Sequence, residues 1–340
     1  MSFRGCNDKL KLSWQRKVPL FAVIVLIVLV LVFWQHNFRK KPLSFSEFAL
    51  DTMVEIQIWG PGAKEAASLA TSEIRRVEGL LSLYQRGSDL GRISQGLGGA
   101  VAPDTLVVLG QALKIAKESG GAYDPTVGTL SRLWQKAREQ ERPPDPEQIQ
   151  KALLTVGWQG VELLPSGEVQ LPEGMELDLG GAAKGYAVDR ALEVLRERGV
   201  KRALINAGGQ IGLLGKAPRG SWQIGVRSPR GQGVVAVLNL EGGAVSTSGD
   251  YQRFFLYQGK RYHHLLDPRG GYPASSCQSA TVVAQTGMMA DLLSTACFLL
   301  GPSRGLKLVE KYGAQALVVD SNGRIHTTEG LSYTLGEERD

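Results

Sequence analysis

The stretch "MADLLSTA" sets Asp291 and Thr295 four residues apart, which on a helix puts a carboxylate and a hydroxyl on one face. Oxygen ligands of this kind suit Mg2+, a hard cation that takes one or two carboxylates together with substrate phosphates. The same pair also reads as an aspartate near a helix N-terminus and a threonine bonded back to the carbonyl four residues earlier. A second stretch, "DLGGAAKGYAVD" (residues 178–189), is nearly bare of side chains. Small residues at a helix start let an anion approach free backbone amides. The lysine precedes the last glycine and no Ser or Thr follows it, so this is not a Walker loop, nor is it a dinucleotide G-x-G-x-x-G. Gly180 and Gly181 equally fit a strand and a helix that pack closely.

Two more clusters carry polar groups. "AVSTSGDYQRFF" (residues 244–255) offers four hydroxyls, a glycine and an aspartate, with no nucleophile–base pair, and reads as an ordinary hairpin turn. In "YHHLLDPRGGYP", His263 and His264 point to opposite faces of a strand, so at most one faces a given site.

These residues need elements to position them. "EFALDTMVEIQIWG" alternates as a strand and stops at Gly60 and Pro61; helices follow in "AKEAASLATSEIRRVEGLLSLY" and "TLVVLGQALKIAKESG". The charged "QKAREQERPPDPEQIQKALLTVGW" reads as a surface excursion. "MELDLGG" is expected as a short strand, "AAKGYAVDRALEVLRERG" as a helix with Gly199 at its C-cap, and "VKRALINAGG" as a second strand. Four strands ("WQIGVR", "GVVAVLNL", "QRFFLYQG", "SATVVAQ"), two helices ("MMADLLSTACFLLG", "PSRGLKLVEKYG") and a closing strand "AQALVVD" complete the chain. The class is α+β (mixed α/β), with one N-terminal transmembrane helix.

Charge is segregated. The chain of 340 residues carries a net +6, yet residues 1–41 hold eight basic residues and one acid, leaving 31 basic and 32 acidic side chains beyond. The body is therefore no polyanion binder. The excess flanks "VPLFAVIVLIVLVLVFW" (residues 18–34), about 25 Å long as a helix and just able to span a bilayer. No small-x-small cleavage site follows it, which favours an uncleaved signal anchor. Five basic residues upstream against three downstream favour an internal N-terminus. The expected plan is a cytoplasmic basic segment (1–17), a signal anchor (18–34), a linker (35–46) and one globular domain (47–340) outside the inner membrane. Cys6, Cys277 and Cys297 form no metal spacing or disulfide framework.

From Phe48 to Leu335 the chain resembles the ApbE-type FAD:protein FMN transferases. The resemblance rests on "LSLYQRGSDLGRIS", "GAYDPTVG", "ELDLGGAAKGYAVDRA", "ALINAGGQIGLLG", "STSGDYQRFF", "YHHLLDPRGGYP" and "ADLLSTA", in that order. It implies an enzyme that uses Mg2+ to split FAD, attaches FMN to a Thr or Ser of a membrane-bound electron-transfer protein and releases AMP. It places Asp291, Thr295 and a backbone carbonyl at or beside Gly181 on the metal. Tyr84, Ala122, Tyr123, Asp124, Asp178 and Lys184 would line the FAD site, with His264, Leu265 and Leu266 beside it. His264 is expected as general base, since its pKa lies near neutrality.

Two departures stand out. Leu50, Asp51 and Thr52 replace a usual Met-Gly-Thr, so Leu50 must make the flavin contact of the methionine or lose it. Asp267-Pro268-Arg269-Gly270-Gly271 replaces Asp-Pro-x-Thr-Gly, which removes a hydroxyl. Two other readings stay open: an FAD pyrophosphatase yielding FMN and AMP, and a non-catalytic FAD-binding assembly factor.

Overall fold

The computed structural model describes residues 23–28, 41–97 and 99–336, and the backbone of 338–339. Residues 23–28 are helical, with their apolar side chains exposed. The rest of the expected anchor, and residues 1–17, lie outside the described residues. Among the described residues no helix is long and apolar enough to cross a membrane.

The chain then forms β1 (Leu43–Ala49), β2 (Thr52–Ile58), α1 (Ala63–Leu81), α2 (Asp89–Ser94), α3 (Pro103–Glu118), α4 (Gly128–Glu139) and α5 (Pro146–Leu153). A small hairpin of β3 (Glu162–Leu163) and β4 (Val169–Gln170) leads to α6 (Gly180–Glu197), β5 (Ala203–Ala207), β6 (Gln210–Leu214), β7 (Trp222–Arg227) and β8 (Gln232–Leu240). Next come β9 (Gly243–Gly249), β10 (Phe255–Tyr257), β11 (Lys260–Tyr262) and β12 (Cys277–Ala284). The last elements are α7 (Gly287–Leu300), α8 (Pro302–Lys311), β13 (Gln315–Asp320), β14 (Ile325–Thr327), β15 (Tyr333–Leu335) and β16 (Glu338–Arg339).

An eight-stranded sheet in the order β1-β2-β5-β6-β9-β12-β13-β14 is the frame, and each of its strand pairs is antiparallel. Successive side chains leave a strand on opposite faces, and the sequence uses both. Ala316 and Val318 of β13 pack under the helices, while Leu317 and Val319 join a second core with Trp222, Ile224 and Leu238 of β7 and β8. The molecule is thus three layers: helices α1, α3, α6, α7 and α8, the large sheet, and a smaller sheet around β8. A third cluster, with Leu130 and Trp134 of α4, Ile149 of α5, Phe255 and Leu266, stands beside these layers.

Helix α7 is mostly apolar and mostly buried, with Asp291, Ser294 and Thr295 as its polar face, as expected of a central helix. It crosses α6 at two glycines. A Cβ on Gly185 would lie 2.1 Å from the Gly287 carbonyl oxygen, and one on Gly287 would lie 2.5 Å from that of Gly185. No other residue permits that approach.

Several expectations need correcting. "EFALDTMVEIQIWG" is not one strand but most of the β1–β2 hairpin, which turns at Leu50 and Asp51 with φ of 55° and 56°. The expected linker through residue 46 overlaps β1, because Phe45 and Glu47 pair with Ile56 and Val54. "MELDLGG" forms only an isolated bridge at Glu176, since the Asp178 amide bonds instead to the Pro125 carbonyl. The Pro-containing excursion holds α5, capped by a reciprocal Asp145–Gln148 box, and buries Ile149 and Ala152. "AVSTSG" is not a turn but most of β9, inside the sheet. The "closing" strand β13 is followed by β14 and β15. Gly199 does end α6, with φ of 77° and its N–H bonded to the Arg196 carbonyl.

Candidate active site

A cleft of about 690 Å³ opens where the β1–β2 turn, the N-terminus of α6, one face of α7 and the third cluster meet. Leu50, Tyr84, Tyr123, Asp124, Asp178, Gly181, Lys184, His264, Leu265, Leu266, Asp291 and Thr295 all line it. Ala122 does not; its methyl is 2% exposed in the main core.

The floor is built by α7 against β9. Asp291 is buried, and its Oδ2 accepts the Gly185 N–H at 3.0 Å. Its Oδ1 accepts from the Ser246 hydroxyl at 3.3 Å. Among the described residues it enters no salt bridge. A buried carboxylate without a cation is costly, and this one is surrounded by more oxygen. Ser248 lies 3.0 Å from the Ser294 hydroxyl and 3.3 Å from that of Thr295. Thr295 also donates to the Asp291 carbonyl at 3.1 Å, so the back-bonded reading holds while its oxygen keeps lone-pair capacity. A Cβ on Gly181 would sit 3.1 Å from the Thr295 hydroxyl. Carboxylate, hydroxyl and the backbone of Gly181 therefore converge, which is an oxygen donor set fit for a hard divalent cation. The described residues hold no cluster of three or more His, Cys, Asp or Glu side chains suited to a metal.

The glycine run proves to be the first turns of α6. Asp178 caps it: Oδ1 accepts the Gly180 N–H at 2.8 Å and Oδ2 the Ser131 hydroxyl at 2.6 Å. Lys184 reaches back to the Gly180 carbonyl at 3.2 Å. A helix N-terminus and a lysine thus face the cleft, a combination that favours phosphate. Asp124 is tied inward, to the N–H and hydroxyl of Thr126 and the N–H of Trp158. Tyr123 carries its hydroxyl buried with no partner. Burial, then Asp178, Asp291 and Asp124, holds its pKa well above the usual phenol range. Tyr84 is half exposed at the cleft mouth, with Arg132 5.7 Å from its ring centre.

The two histidines separate, although the expected strand stops short of them: β11 ends at Tyr262, and His263 and His264 lie in the irregular segment that follows. His263 is buried; its Nε2–H donates to the Ala274 carbonyl at 2.8 Å and its Nδ1 accepts the Leu265 N–H at 3.2 Å. It is neutral and structural. His264 lines the cleft, with Nδ1 3.2 Å from the Gln252 carbonyl. A carbonyl only accepts, so Nδ1 carries the proton and Nε2 the free lone pair. The protein packed around the ring, then the charges of Arg253 and Lys184, push its pKa down to about 3. The expected pKa near neutrality is therefore not met: the ring is exposed to the cleft and neutral, but it is a weaker base than a free histidine.

The departures now have a structural setting. Leu50 turns the hairpin and is 8% exposed in the cleft wall, while Asp51 sits 3.7 Å from Arg253. Gly270, which stands where the usual pattern has Thr, has open space at its Cβ position; the glycine that the pattern keeps, Gly271, has φ of 73°, and a Cβ there would meet Ile149 at 2.5 Å. Its carbonyl accepts the Trp134 indole N–H at 2.7 Å. Gln210, Ser246, Ser248, Arg253 and the aromatic wall of Trp134, Phe255 and Tyr262 also line the cleft. Ser246 and Ser248 are spaced by two, the strand period, a signal that a turn reading hides. The aromatic wall stacks Trp134 of α4 on the cross-strand pair Phe255–Tyr262 of the β10–β11 hairpin, with Trp134 and Phe255 5.6 and 5.3 Å from Tyr262. The hairpin pair is local, but no local spacing encodes the contact with Trp134.

The sequence pattern of the ApbE family matches residues 50–318. An FAD:protein FMN transferase of Treponema pallidum is 31% identical over 320 residues, 86% of this chain and 88% of that one. One of Haemophilus influenzae is 32% identical over 94% of this chain and 99% of its own. The crystal structure of the ApbE protein from Thermotoga maritima superposes with a TM-score of 0.80 at 34% identity, covering 85% of this chain and 97% of that one. The pattern, the relatives and the shared architecture lead to one assignment: the chain belongs to the ApbE family.

Proposed function

We propose that this chain is a Mg2+-dependent FAD:protein FMN transferase that modifies a Thr or Ser of an acceptor protein. The observation that carries the proposal is the convergence of three groups on one cleft: the capped N-terminus of α6, the Asp291–Thr295 floor and the neutral His264. Phosphoryl transfer depends chiefly on positioning and on neutralising charge, and these groups supply both. Asp291, Thr295 and the Gly181 carbonyl would hold Mg2+, which when bound neutralises pyrophosphate charge. Lys184, in the first turns of α6, would face the same phosphates, whereas the Gly180, Ala182 and Ala183 N–H groups are already bonded within the protein. Tyr84 and Leu50 offer apolar surface to the flavin.

The chemistry then balances without a further reactant. The acceptor hydroxyl oxygen attacks the phosphorus bearing the flavin side, and its proton passes to His264 Nε2. The new P–O bond forms as the bond to the bridging oxygen breaks, and AMP leaves with that oxygen. The product is a phosphoester-linked FMN.

Location and partner belong to the same proposal. Residues 18–34 act as a signal anchor in the inner membrane, the catalytic body lies on the extracytoplasmic side, and the acceptor is a membrane-bound redox subunit. The charge asymmetry around the apolar run supports this reading.

The test is to incubate the full-length protein in detergent with FAD, Mg2+ and candidate acceptors. Flavin fluorescence on the acceptor band of a denaturing gel is the expected result. Release of FMN and AMP without a labelled band would identify a hydrolase instead. Absence of both products would leave only FAD binding.

A further inference from the structure

Gln210 is 2% exposed, lines the cleft, and has an amide oxygen with no hydrogen-bond partner. Its Nε2 donates to the Gly287 carbonyl at 3.3 Å. That contact fixes the amide orientation, because turning the amide over would set two oxygens against each other. The lone pairs of Oε1 are therefore the unused end. A buried polar atom left without a partner costs about 1–3 kcal/mol, so something other than the empty protein must explain its retention.

Position indicates what. The β6–β9 register pairs Ile211 with Val245, which places Gln210 beside Ser246. Ser246 bonds to Asp291, and Gly287 lies one helical turn before Asp291 on α7. Gln210 and Ser246 thus reach toward α7 from neighbouring strands, at the buried end of the oxygen-rich floor. The oxygens gathered there, from Asp291, Thr295, Ser246 and Ser248, face no lysine or arginine partner at Asp291 among the described residues. An amide oxygen in such company suits a hard cation or the waters that Mg2+ keeps when it binds to a protein.

We propose that Gln210 is a further oxygen donor in the shell of ligands and bound waters of a divalent cation held at Asp291. This rests on the Mg2+ part of the proposed function and adds a residue to it. Gln210 is a positioning residue: it holds the hydrated cation against α7, as outer-shell partners do at other metal sites.

The test uses Mn2+ as probe, titrated into the FAD-free, full-length protein and followed by the electron paramagnetic resonance of the free ion. Gln210→Met keeps the volume but removes the oxygen together with the N–H that binds the Gly287 carbonyl, so Gln210→Glu, which loses that N–H and keeps an oxygen, is measured beside it. Gln210→Met should raise the Mn2+ dissociation constant about 10- to 100-fold. A constant within twofold of wild type overturns the proposal. The added charge of Gln210→Glu should tighten Mn2+ binding, and unchanged binding overturns the proposal, also where Gln210→Met fails to fold. If wild type itself shows no saturable Mn2+ binding, or Asp291→Ala retains it, the cation site at Asp291 fails, and Gln210 falls with it.

Discussion

The Gly185 N–H donates to Asp291 Oδ2 at 3.0 Å across two helices that cross at Gly185 and Gly287. In an α-helix that N–H is directed at the carbonyl four residues earlier, here Gly181. Its bond to Asp291 competes for the donor, so the Gly181 carbonyl keeps capacity for another partner. One glycine thereby brings the carboxylate of α7 and the backbone of α6 to the same point.

Asp291→Asn should keep the contact to Gly185 and lose the charge. We expect transferase activity to fall by at least about 100-fold, in line with the loss of a stabilising group for transition-state charge. The metal-free protein should melt no lower than wild type, because a buried unpaired carboxylate has been removed. The stabilisation by Mg2+ plus FAD should disappear in differential scanning fluorimetry. A retained Mg2+ shift would place the cation elsewhere.

Gly185→Ala should destabilise the fold by about 1–3 kcal/mol, the usual range for overpacking, since the added methyl meets backbone rather than a movable side chain. Urea unfolding measures this. Activity should fall with it, because any separation of α6 from α7 moves Gly181 away from Asp291.

The base assignment predicts a pH profile. His264 is catalytically competent when neutral, and its folded pKa lies below the ordinary value of 6.5. The acid limb of kcat/KM should therefore fall below pH 6 rather than near 6.5. His264→Ala should cost about 100- to 10,000-fold in kcat, and an unchanged kcat would remove His264 from the reaction.

Stability should respond to pH with a definite sign. His263 and His264 both have folded pKa values lowered from 6.5. Between those values and 6.5 the unfolded chain binds more protons, so stability rises with pH across that window and is lost as pH falls through 6.5. Urea midpoints at pH 7.5, 6.5 and 5.5 should decline in that order. His263→Phe and His264→Ala should each reduce the slope.

Asp51 tests the hairpin turn. A non-glycine residue at φ of 56° carries strain of about 1–3 kcal/mol, and its exposed pairing with Arg253 at 3.7 Å offsets about 0–1 kcal/mol. Asp51→Gly should raise the melting temperature by a few degrees. No change would mean that the Arg253 pair balances the strain.

Much of this was legible in local spacing. Helices α1, α3, α6, α7 and α8 announce themselves by apolar residues every three to four positions, and β7, β8, β12 and β13 by apolar runs or period-two alternation. His263 and His264 do face apart, but through an irregular segment after β11 rather than through strand alternation. Elements whose chemistry is shared with turns were not legible: β9 looks like a loop because its serines and glycines serve α7, and "MELDLGG" looks like a strand although its backbone bonds elsewhere. The Leu50–Asp51 turn lacks the Asn-Gly or Asp-Gly signal of a two-residue hairpin, so the β1–β2 reversal was hidden.

The sequence alone determined the chemical inventory: an Asp and a Thr one helical turn apart, a bare helix start with a lysine, two histidines of which one could be free, and a family pattern joining them. Tertiary structure decided which of these meet. Asp178 and Asp124 turn out to cap backbone, Ala122 belongs to the core, and Gln210, Ser246 and Arg253 enter the cleft from distant segments. The reason is physical: helix and strand periods fix neighbours a few residues apart, whereas the crossing at Gly185 and Gly287 is set by packing between residues about a hundred positions apart.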